Sequence, residues 1–550
     1  MYTKPLEHIE SKMLADELFP DVLTTPEYYA NYYPERDLPE GAQVTRIAPS
    51  PTGFIHLGNL FSALADERIA RQSNGVFFLR IEDTDLKRKV EGAVEAVITT
   101  LGYFGITFDE GAEMNGDKTY GPFYQRQREI VYKSFVKWMV EEGIAYPCFC
   151  TAEDLDEIRD RQREKKLTPG YYGEWARCRD LSYKEIREKL DAGLPYVIRM
   201  RSAGDGTQKF SFRDSIKGEI SVTANNRDEV ILKSDGIPTY HFAHVIDDHL
   251  MHTTLVLRGE EWLSSLPIHL ELFRMLGFKP PKYGHHAQLM KLDGGTKRKL
   301  SKRKDPELAL EYYRKLGYHP LAVKTYLMTL LNSNFEEWML KNPDAPLEDF
   351  KFSIGKMGQS GALFDIAKLD DVSKTVISKL TGEEFYSFLL EWANNYDPDF
   401  AKLLADKAYA LGVLDLCMGA GKKRRKDFIC ASQAKEVVSC YFDETFKPER
   451  DFPLDKETCK KILTAFLATY DHSDDGQAWF AKVKEIASSM GFATDMRAYK
   501  ENPDAFPGSV SDVAEVLRVA VTGHRNTPDL WSIMQLLGEE RAVGRVKECL

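Results

Sequence analysis

The chain lacks any apolar run approaching the roughly 20 residues of a membrane-spanning helix, so no membrane association is expected. Its opening segment, Met1 to Leu38, is acidic and aromatic, without the basic and apolar blocks of a secretory leader, which makes the cytoplasm the expected location. Cysteine is sparse, with 8 in 550 residues. They are scattered, and Cys148-Phe149-Cys150 is too tight a spacing for an ordinary disulfide framework, so a reducing compartment fits. Basic charge is also short. The 74 Lys and Arg against 85 Asp and Glu leave a net charge of −11, which argues against indiscriminate nucleic-acid binding while leaving room for a local basic face. No internal repeat or low-complexity tract is present. What remains is a large chain, 43% hydrophobic, with material for several cores and roughly three to four domains.

Two distant segments carry the chemistry. Val44 to Ala48 reads as a short apolar strand, Pro49 to Gly58 as a loop rich in proline and glycine, and Leu60, Ala63, Leu64, Glu67 and Ile69 then follow a helical pattern. Such a strand, loop and helix offer an anion the unpaired N–H groups and positive dipole end of the helix. His56 supplies a donor there, and Gly58 lets an adenine or a phosphate approach the backbone. Far downstream, Lys299-Leu300-Ser301-Lys302-Arg303 supplies cations for a triphosphate. Each alone has a plainer reading. A histidine near a glycine is more often structural, and Lys297, Arg298, Lys299, Lys302, Arg303 and Lys304 can be a solvated basic loop.

Taken together, in this order and separation, Arg46 to Asn59 and Lys299 to Arg303 resemble the two signature sequences of class I aminoacyl-tRNA synthetases. The Ala48-Pro49-Ser50-Pro51-Thr52-Gly53 wording and Ile81-Glu82-Asp83-Thr84-Asp85 resemble the glutamyl branch, over nearly the whole chain after residue 43. Two positions depart: Asn59 stands where the family often has histidine, and the lysine motif ends in Arg303 rather than serine. The resemblance implies a catalytic set of His56, Gly58, Lys299 and Lys302, with His56, Gly58, Asn59 and Lys302 on ATP and Mg2+ accompanying it. It further implies that Arg46, Ala48, Ser50, Glu82, Tyr240, His244, Arg258 and Trp262 line a glutamate site, His244 standing where the family often has asparagine. The chemistry of the residues agrees. A substrate with two carboxylates and one ammonium needs cations and a carboxylate, and Arg46, Arg258 and Glu82 provide them near strand ends. Without the resemblance, Tyr240 and Trp262 read equally well as core packing, and Asp83 and Asp85 read first as capping or salt-bridge residues.

The expected fold is α/β: a doubly wound, Rossmann-like parallel sheet over 43–110 and 228–305, split by an α+β insertion at 111–227. Strands are read at Val76 to Ile81, Glu229 to Lys233, Thr254 to Arg258 and His286 to Lys291. Residues 1–42 form an extension expected on the surface, 306–360 a stem-contact linker, and 361–550 a helical region. Helical faces there include Leu369, Val372, Val376, Ile377 and Leu380, and Val513, Val516, Leu517 and Ala520 before Gly523. The resemblance names the insertion as the grip on the acceptor end of tRNA and the helical region as the anticodon-binding part of a bacterial-type enzyme.

The implied reaction is ATP-dependent attachment of L-glutamate to tRNA(Glu) through a glutamyl-adenylate, by a protein expected to be monomeric. Alternatives are a paralogue that glutamylates a modified tRNA base, which the long helical C-terminal third opposes, and a non-catalytic tRNA-binding descendant, which intact His56, Gly58, Glu82, Arg258 and Lys302 oppose. Cys148, Cys150 and Cys178, with Tyr172 as an oxygen ligand, resemble a small zinc element of the family, and three free buried thiols are the competing reading. Lys422, Lys423, Arg424, Arg425 and Lys426 suit either phosphate contact or a solvated loop, whereas Arg161, Arg163, Lys165 and Lys166 alternate with acids as on a helix surface.

Overall fold

The structure, a computed structural model, describes residues 6–51, 55–85, 90–116, 118–419, 424–447 and 451–550. Thr52, Gly53 and Phe54 of the first signature and Lys422 and Lys423 of the basic cluster therefore lie outside the described residues. The chain divides into two units, one comprising residues up to Leu310 with Leu327–Asp365, the other Glu311–Tyr326 with Ile366–Leu550.

In the first unit, β1 (Val44–Ile47), β2 (Val76–Leu79) and β3 (Glu110–Gly111) pair in parallel, with α1 (Leu57–Gln72) crossing from β1 to β2. After the insertion come α2 (Tyr240–Leu250), β4 (Leu255–Gly259), α3 (Leu266–Met275) and β5 (Lys282–His286), with β4 and β5 again parallel. The Thr254 amide donates to the Val44 carbonyl at 3.0 Å, which sets β4 beside the free edge of β1. The order is thus 3-2-1-4-5, and the crevice between β1 and β4 is where connections turn to opposite sides. All four residues of β1 are buried, as expected for a parallel strand covered on both faces.

The strand expected at His286 to Lys291 is instead two elements. β5 ends at His286, and Leu289–Asp293 pairs antiparallel with Thr296–Lys299 across a Gly294-Gly295 turn whose φ values of 56° and 84° need glycine. The lysine segment therefore leaves the end of a hairpin. The insertion boundary also moves, because Val230–Leu232 pairs antiparallel with Val197–Met200 of the insertion. The insertion's hairpin, Lys209–Asp214 with Gly218–Thr223, returns to the parallel sheet, where the Ser215 amide donates to the Tyr283 carbonyl at 2.8 Å.

The N-terminal extension is built into this unit. Leu14, Leu18, Phe19 and Tyr29 are buried, its helix His8–Leu18 packs on Glu129–Glu141, and Arg36 pairs with Glu110 of β3 at 2.7 Å. The segment 306–360 is not one region: 311–326 belongs to the second unit, whereas Arg68 of α1 donates to the carbonyls of Glu348 and Phe350, both at 2.7 Å, within the first.

The second unit is helical around a core that includes Leu389, Leu414, Leu463, Val483 and Ile533. Val513, Val516, Leu517 and Ala520 are all buried on Val510–Thr522, which stops at Gly523 with φ 75°. The described members of the basic cluster are largely committed to the protein. Arg424 donates to the carbonyls of Ser378 and Leu380, Lys426 to Thr375, and Arg425 pairs with Asp427. Arg424 thus satisfies carbonyls just past a helix end, a role neither earlier reading contained.

Candidate nucleotide and amino-acid site

A cavity of about 720 Å³ opens at the carboxyl ends of β1 and β4. Arg46, Ala48, Ser50, His56, Gly58, Asn59, Glu82, Tyr240, Arg258, Trp262, Lys299 and Lys302 all line it, so residues more than 200 positions apart meet as the sequence reading expected. His244 does not. It is fully buried behind Arg46, with Nδ1 3.3 Å from Arg46 Nη2 and 3.1 Å from Asp248 Oδ2, and Nε2 2.9 Å from Tyr283 Oη. Both ring nitrogens are occupied by protein groups, and burial holds the imidazole well below its ordinary pKa.

At the start of α1, His56 occupies the N-cap position in extended conformation, and its backbone N–H donates to Asn59 Oδ1 at 3.0 Å. Asn59 is therefore engaged by the cap of the helix. A Cβ on Gly58 would come within 3.0 Å of His56 Cε1, so glycine here makes room for the imidazole itself. Burial, then the charge of Lys302, pushes His56 down to about 4, leaving it neutral with Nδ1 buried and without a protein partner among the described residues. The lysine loop is anchored from behind: Arg298 makes two bonds to Asp305, at 2.6 and 2.8 Å, and Asp305 also accepts from the Ser301 amide. Lys299 lies 3.9 Å from Glu261, whereas Lys302 is exposed and has no carboxylate partner among the described residues.

The two arginines differ in a way their sequence context does not reveal. Arg46 is already paired with Asp248, through Nε at 3.3 Å and Nη2 at 3.2 Å, and Arg80 reaches the same carboxylate at 2.7 Å. Asp248 is held far below the usual carboxylate range by Arg46 and Arg80, despite burial. Among the described residues, Nη1 of Arg46 alone has no protein partner. Among the described residues Arg258 bonds neutral acceptors alone: Nε to His285 at 3.0 Å, Nη1 to His269 at 3.2 Å and Nη2 to the Trp262 carbonyl at 3.4 Å. Tyr240 and Trp262 pack along the same wall with ring centroids 4.8 Å apart and planes tilted by 41°. Burial pushes Glu82 up to about 7, against Arg80 and Arg46, so it readily ionises when a cation arrives.

Comparison with known proteins agrees with this geometry. Residues 43–360 match the sequence family described as tRNA synthetases class I (E and Q), catalytic domain, and residues 498–550 match an anticodon binding domain. The glutamate–tRNA ligase of Acetivibrio thermocellus is 52% identical over 98% of this chain and 100% of its own. That of Sorangium cellulosum is 41% identical over 96% of this chain and 98% of its own. The chain belongs to the glutamate–tRNA ligase family. A crystal structure of a glutamate tRNA ligase from Elizabethkingia meningosepticum, in complex with its amino acid, superposes with a TM-score of 0.72 at 26% identity, covering 92% of this chain and 99% of that one. The class I catalytic match covers most of the first unit, and the anticodon binding match lies in the second.

Several residues of this family member's site escaped the sequence reading. Asp247 and Asp248 sit adjacent on the largely buried α2; Asp247 takes Arg128, Gln125 and Tyr132, and Asp248 takes Arg46 and Arg80. Two carboxylates inside the run Val245-Ile246-Asp247-Asp248 are a signal of buried ion pairing. Asp66 of α1 also lines the cavity, fully buried, with neither oxygen partnered among the described residues; burial raises its pKa well above normal. Asp83 follows its plainer reading, accepting from the Arg126 amide at 2.9 Å.

In the insertion, the sulfurs of Cys148, Cys150 and Cys178 lie within 4.8 Å of one another, with Cys150 and Cys178 at 3.7 Å. Tetrahedral thiolates about 2.3 Å from zinc stand about 3.8 Å apart, so the cluster fits that ion. The oxygen beside it is Tyr171 Oη, 3.4 Å from Cys148 and 3.3 Å from Cys150. The Tyr172 hydroxyl, expected as the oxygen ligand, is instead engaged with the Thr168 carbonyl, to which it donates at 2.7 Å. Arg161 and Arg163 pair with Glu157 and Asp160 on a helix surface, as expected.

Proposed function

We propose that this chain joins L-glutamate to tRNA(Glu) in two steps, at the cavity between β1 and β4. The carrying observation is that one cavity joins exposed Lys302 and neutral His56 to Arg258, a buried cation with no carboxylate partner among the described residues. The α-carboxylate of glutamate is already an anionic nucleophile, so attack on the α-phosphorus of ATP needs no enzyme base. Diphosphate leaves, and a hydroxyl of the terminal ribose then attacks the glutamyl carbonyl and releases AMP. The protein contributes position and charge: the start of α1, His56, Lys299 and Lys302 face the phosphates, Arg258 and Arg46 Nη1 the carboxylates, Glu82 the ammonium. Mg2+ bound together with ATP would supply further charge neutralisation beside His56, Lys299 and Lys302. The match of 498–550 to an anticodon binding domain favours charging of a tRNA end over modification of a base. All eight cysteines are free, which supports a reducing, cytoplasmic setting. The chain's acting as a monomer belongs to the same proposal.

The test is diphosphate exchange and charging with purified tRNA(Glu) and tRNA(Gln). Exchange driven by glutamate, not glutamine, and charging of tRNA(Glu) are expected; a preference for glutamine overturns the reading.

Zinc, held by Cys148, Cys150 and Cys178 with Tyr171 closing the fourth position, has a structural role in this proposal, because no position is left for water. Cys178→Ser should release the metal and raise the tRNA concentration needed for charging, while glutamate and ATP requirements stay near wild type. Elemental analysis of never-chelated protein decides it, since absence of stoichiometric zinc reduces the cluster to buried thiols.

A further inference from the structure

Arg258 poses an electrostatic problem. Its guanidinium is buried, the three N–H groups with protein partners among the described residues meet neutral acceptors, and no carboxylate among those residues reaches it. A buried cation of this kind is costly unless negative charge lies close by. One such charge is one residue removed. His285 accepts from Arg258 Nε at Nε2, 3.0 Å, and its Nδ1 lies 2.6 Å from Asp214 Oδ2. Both His285 and Asp214 are buried. The Asp214 carboxylate is itself fixed by the amides of Ile216 and Lys217, both at 2.9 Å, and by that of His285 at 3.2 Å. Burial holds His285 below its ordinary pKa, so the ring is neutral and carries one proton.

We infer that Asp214 and His285 are positioning residues for Arg258, forming an insertion-to-sheet relay that fixes the imidazole tautomer and aims the guanidinium at the amino-acid carboxylate. Asp214 can only accept, so the proton sits on Nδ1, and Nε2 is left as the acceptor that Arg258 Nε–H requires. The fork is then held at its stem and its Nη1 edge, and part of its charge is balanced through the ring. Asp214 closes the insertion hairpin, while His285 and Arg258 are register partners on β5 and β4. Amino-acid recognition thus depends on how the insertion hairpin seats on the sheet.

This inference rests on the glutamate reading of the cavity, and the experiment separates the two. Asp214→Asn keeps Oδ1 for the amides but replaces Oδ2 with an N–H donor, which forces the proton onto Nε2 and turns it against Arg258 Nε–H. The glutamate KM should rise roughly tenfold to a hundredfold, the scale of a lost charge-assisted bond with a donor left unpaired, while the ATP KM stays put and reports an intact fold. Nitrogen NMR of labelled histidine should show His285 protonated at Nδ1 in wild type and at Nε2 in the variant. Adding His285→Gln should recover most of the loss, because an amide oxygen can turn to Arg258 whatever stands at 214. On an Arg258→Lys background, Asp214→Asn should cost little more. An unchanged tautomer, or equal changes in the glutamate and ATP KM, overturns the relay. If Arg258→Lys alters glutamate KM and Asp214→Asn does not, the relay alone falls; if Arg258→Lys is silent, the glutamate reading falls with it.

Discussion

Lys302→Ala should slow glutamyl-adenylate formation by roughly two to three orders of magnitude while leaving glutamate binding near wild type. The side chain is exposed, has no carboxylate partner among the described residues and lines the cavity beside His56, so its removal orphans no buried group and the fold should be unaffected. Its charge acts where negative charge grows on the phosphates, and an interaction made mainly in the transition state lowers kcat rather than affinity. Lys299, tethered 3.9 Å from Glu261, should matter less. His56 should also move, because Lys302 is the main charge holding its pKa down after burial. In the variant His56 titrates higher, so the rate below neutrality should fall off at a higher pH than in wild type. Single-turnover formation of the adenylate, in the presence of ATP and tRNA, is the measurement. A loss of glutamate affinity equal to the loss of rate, or no loss in either, removes Lys302 from the role.

The sheet was legible where apolar strands alternate with helical patterns, and this covers β1, α1, β2, β4 and α3. β5 was not, because Tyr283-Gly284-His285-His286 has neither alternation nor strong strand propensity; it is buried through side-chain bonds to Asp214 and to Ser62 that arrive from elsewhere in the chain. The same reason hid the assignment of Val230–Leu232 to the insertion sheet: a three-residue apolar run has no direction until its partner is known. Among the thiol neighbours, two consecutive tyrosines point opposite ways, so spacing alone could not separate Tyr171 from Tyr172. The basic cluster read as a surface because its carbonyl partners, Ser378 and Leu380, lie more than 40 residues upstream.

The site was legible as a set of residues and not as a set of charges. Strand-end positions and the family resemblance put Arg46, Glu82 and Arg258 together, and all three line the cavity, but neither says which cation is already neutralised. That depended on Asp248, one of two acids inside an apolar helix pattern, and on Arg80, which the sequence reading passed over one residue before Ile81. His244 shows the reverse case. The resemblance put it on a substrate-contacting position, where the family often has asparagine, yet its ring lies behind Arg46 and is bonded to Tyr283.

The pairing of the two arginines leads to opposite expectations for their variants. Arg258→Gln removes a buried cation that balances no neighbouring carboxylate directly, so stability should change little, but a substrate carboxylate brought there would face no charge. Breaking a buried pair of this kind costs about 3–5 kcal/mol, or roughly a hundredfold to several thousandfold in kcat/KM for glutamate, and discrimination against the nearly isosteric glutamine should collapse by a similar factor. Arg46→Gln instead strips one of two cations from Asp248. Arg80 remains at 2.7 Å, so the stability loss should lie toward the lower end of the same range, accompanied by a smaller erosion of glutamate preference through the lost Nη1. Denaturant unfolding of both variants, together with glutamate and glutamine competition in the exchange reaction, separates the roles. If Arg46→Gln keeps full stability yet abolishes the preference, while Arg258→Gln leaves it intact, then the ion pair with Asp248 opens on substrate binding and Arg46 is the residue that reads the side-chain carboxylate.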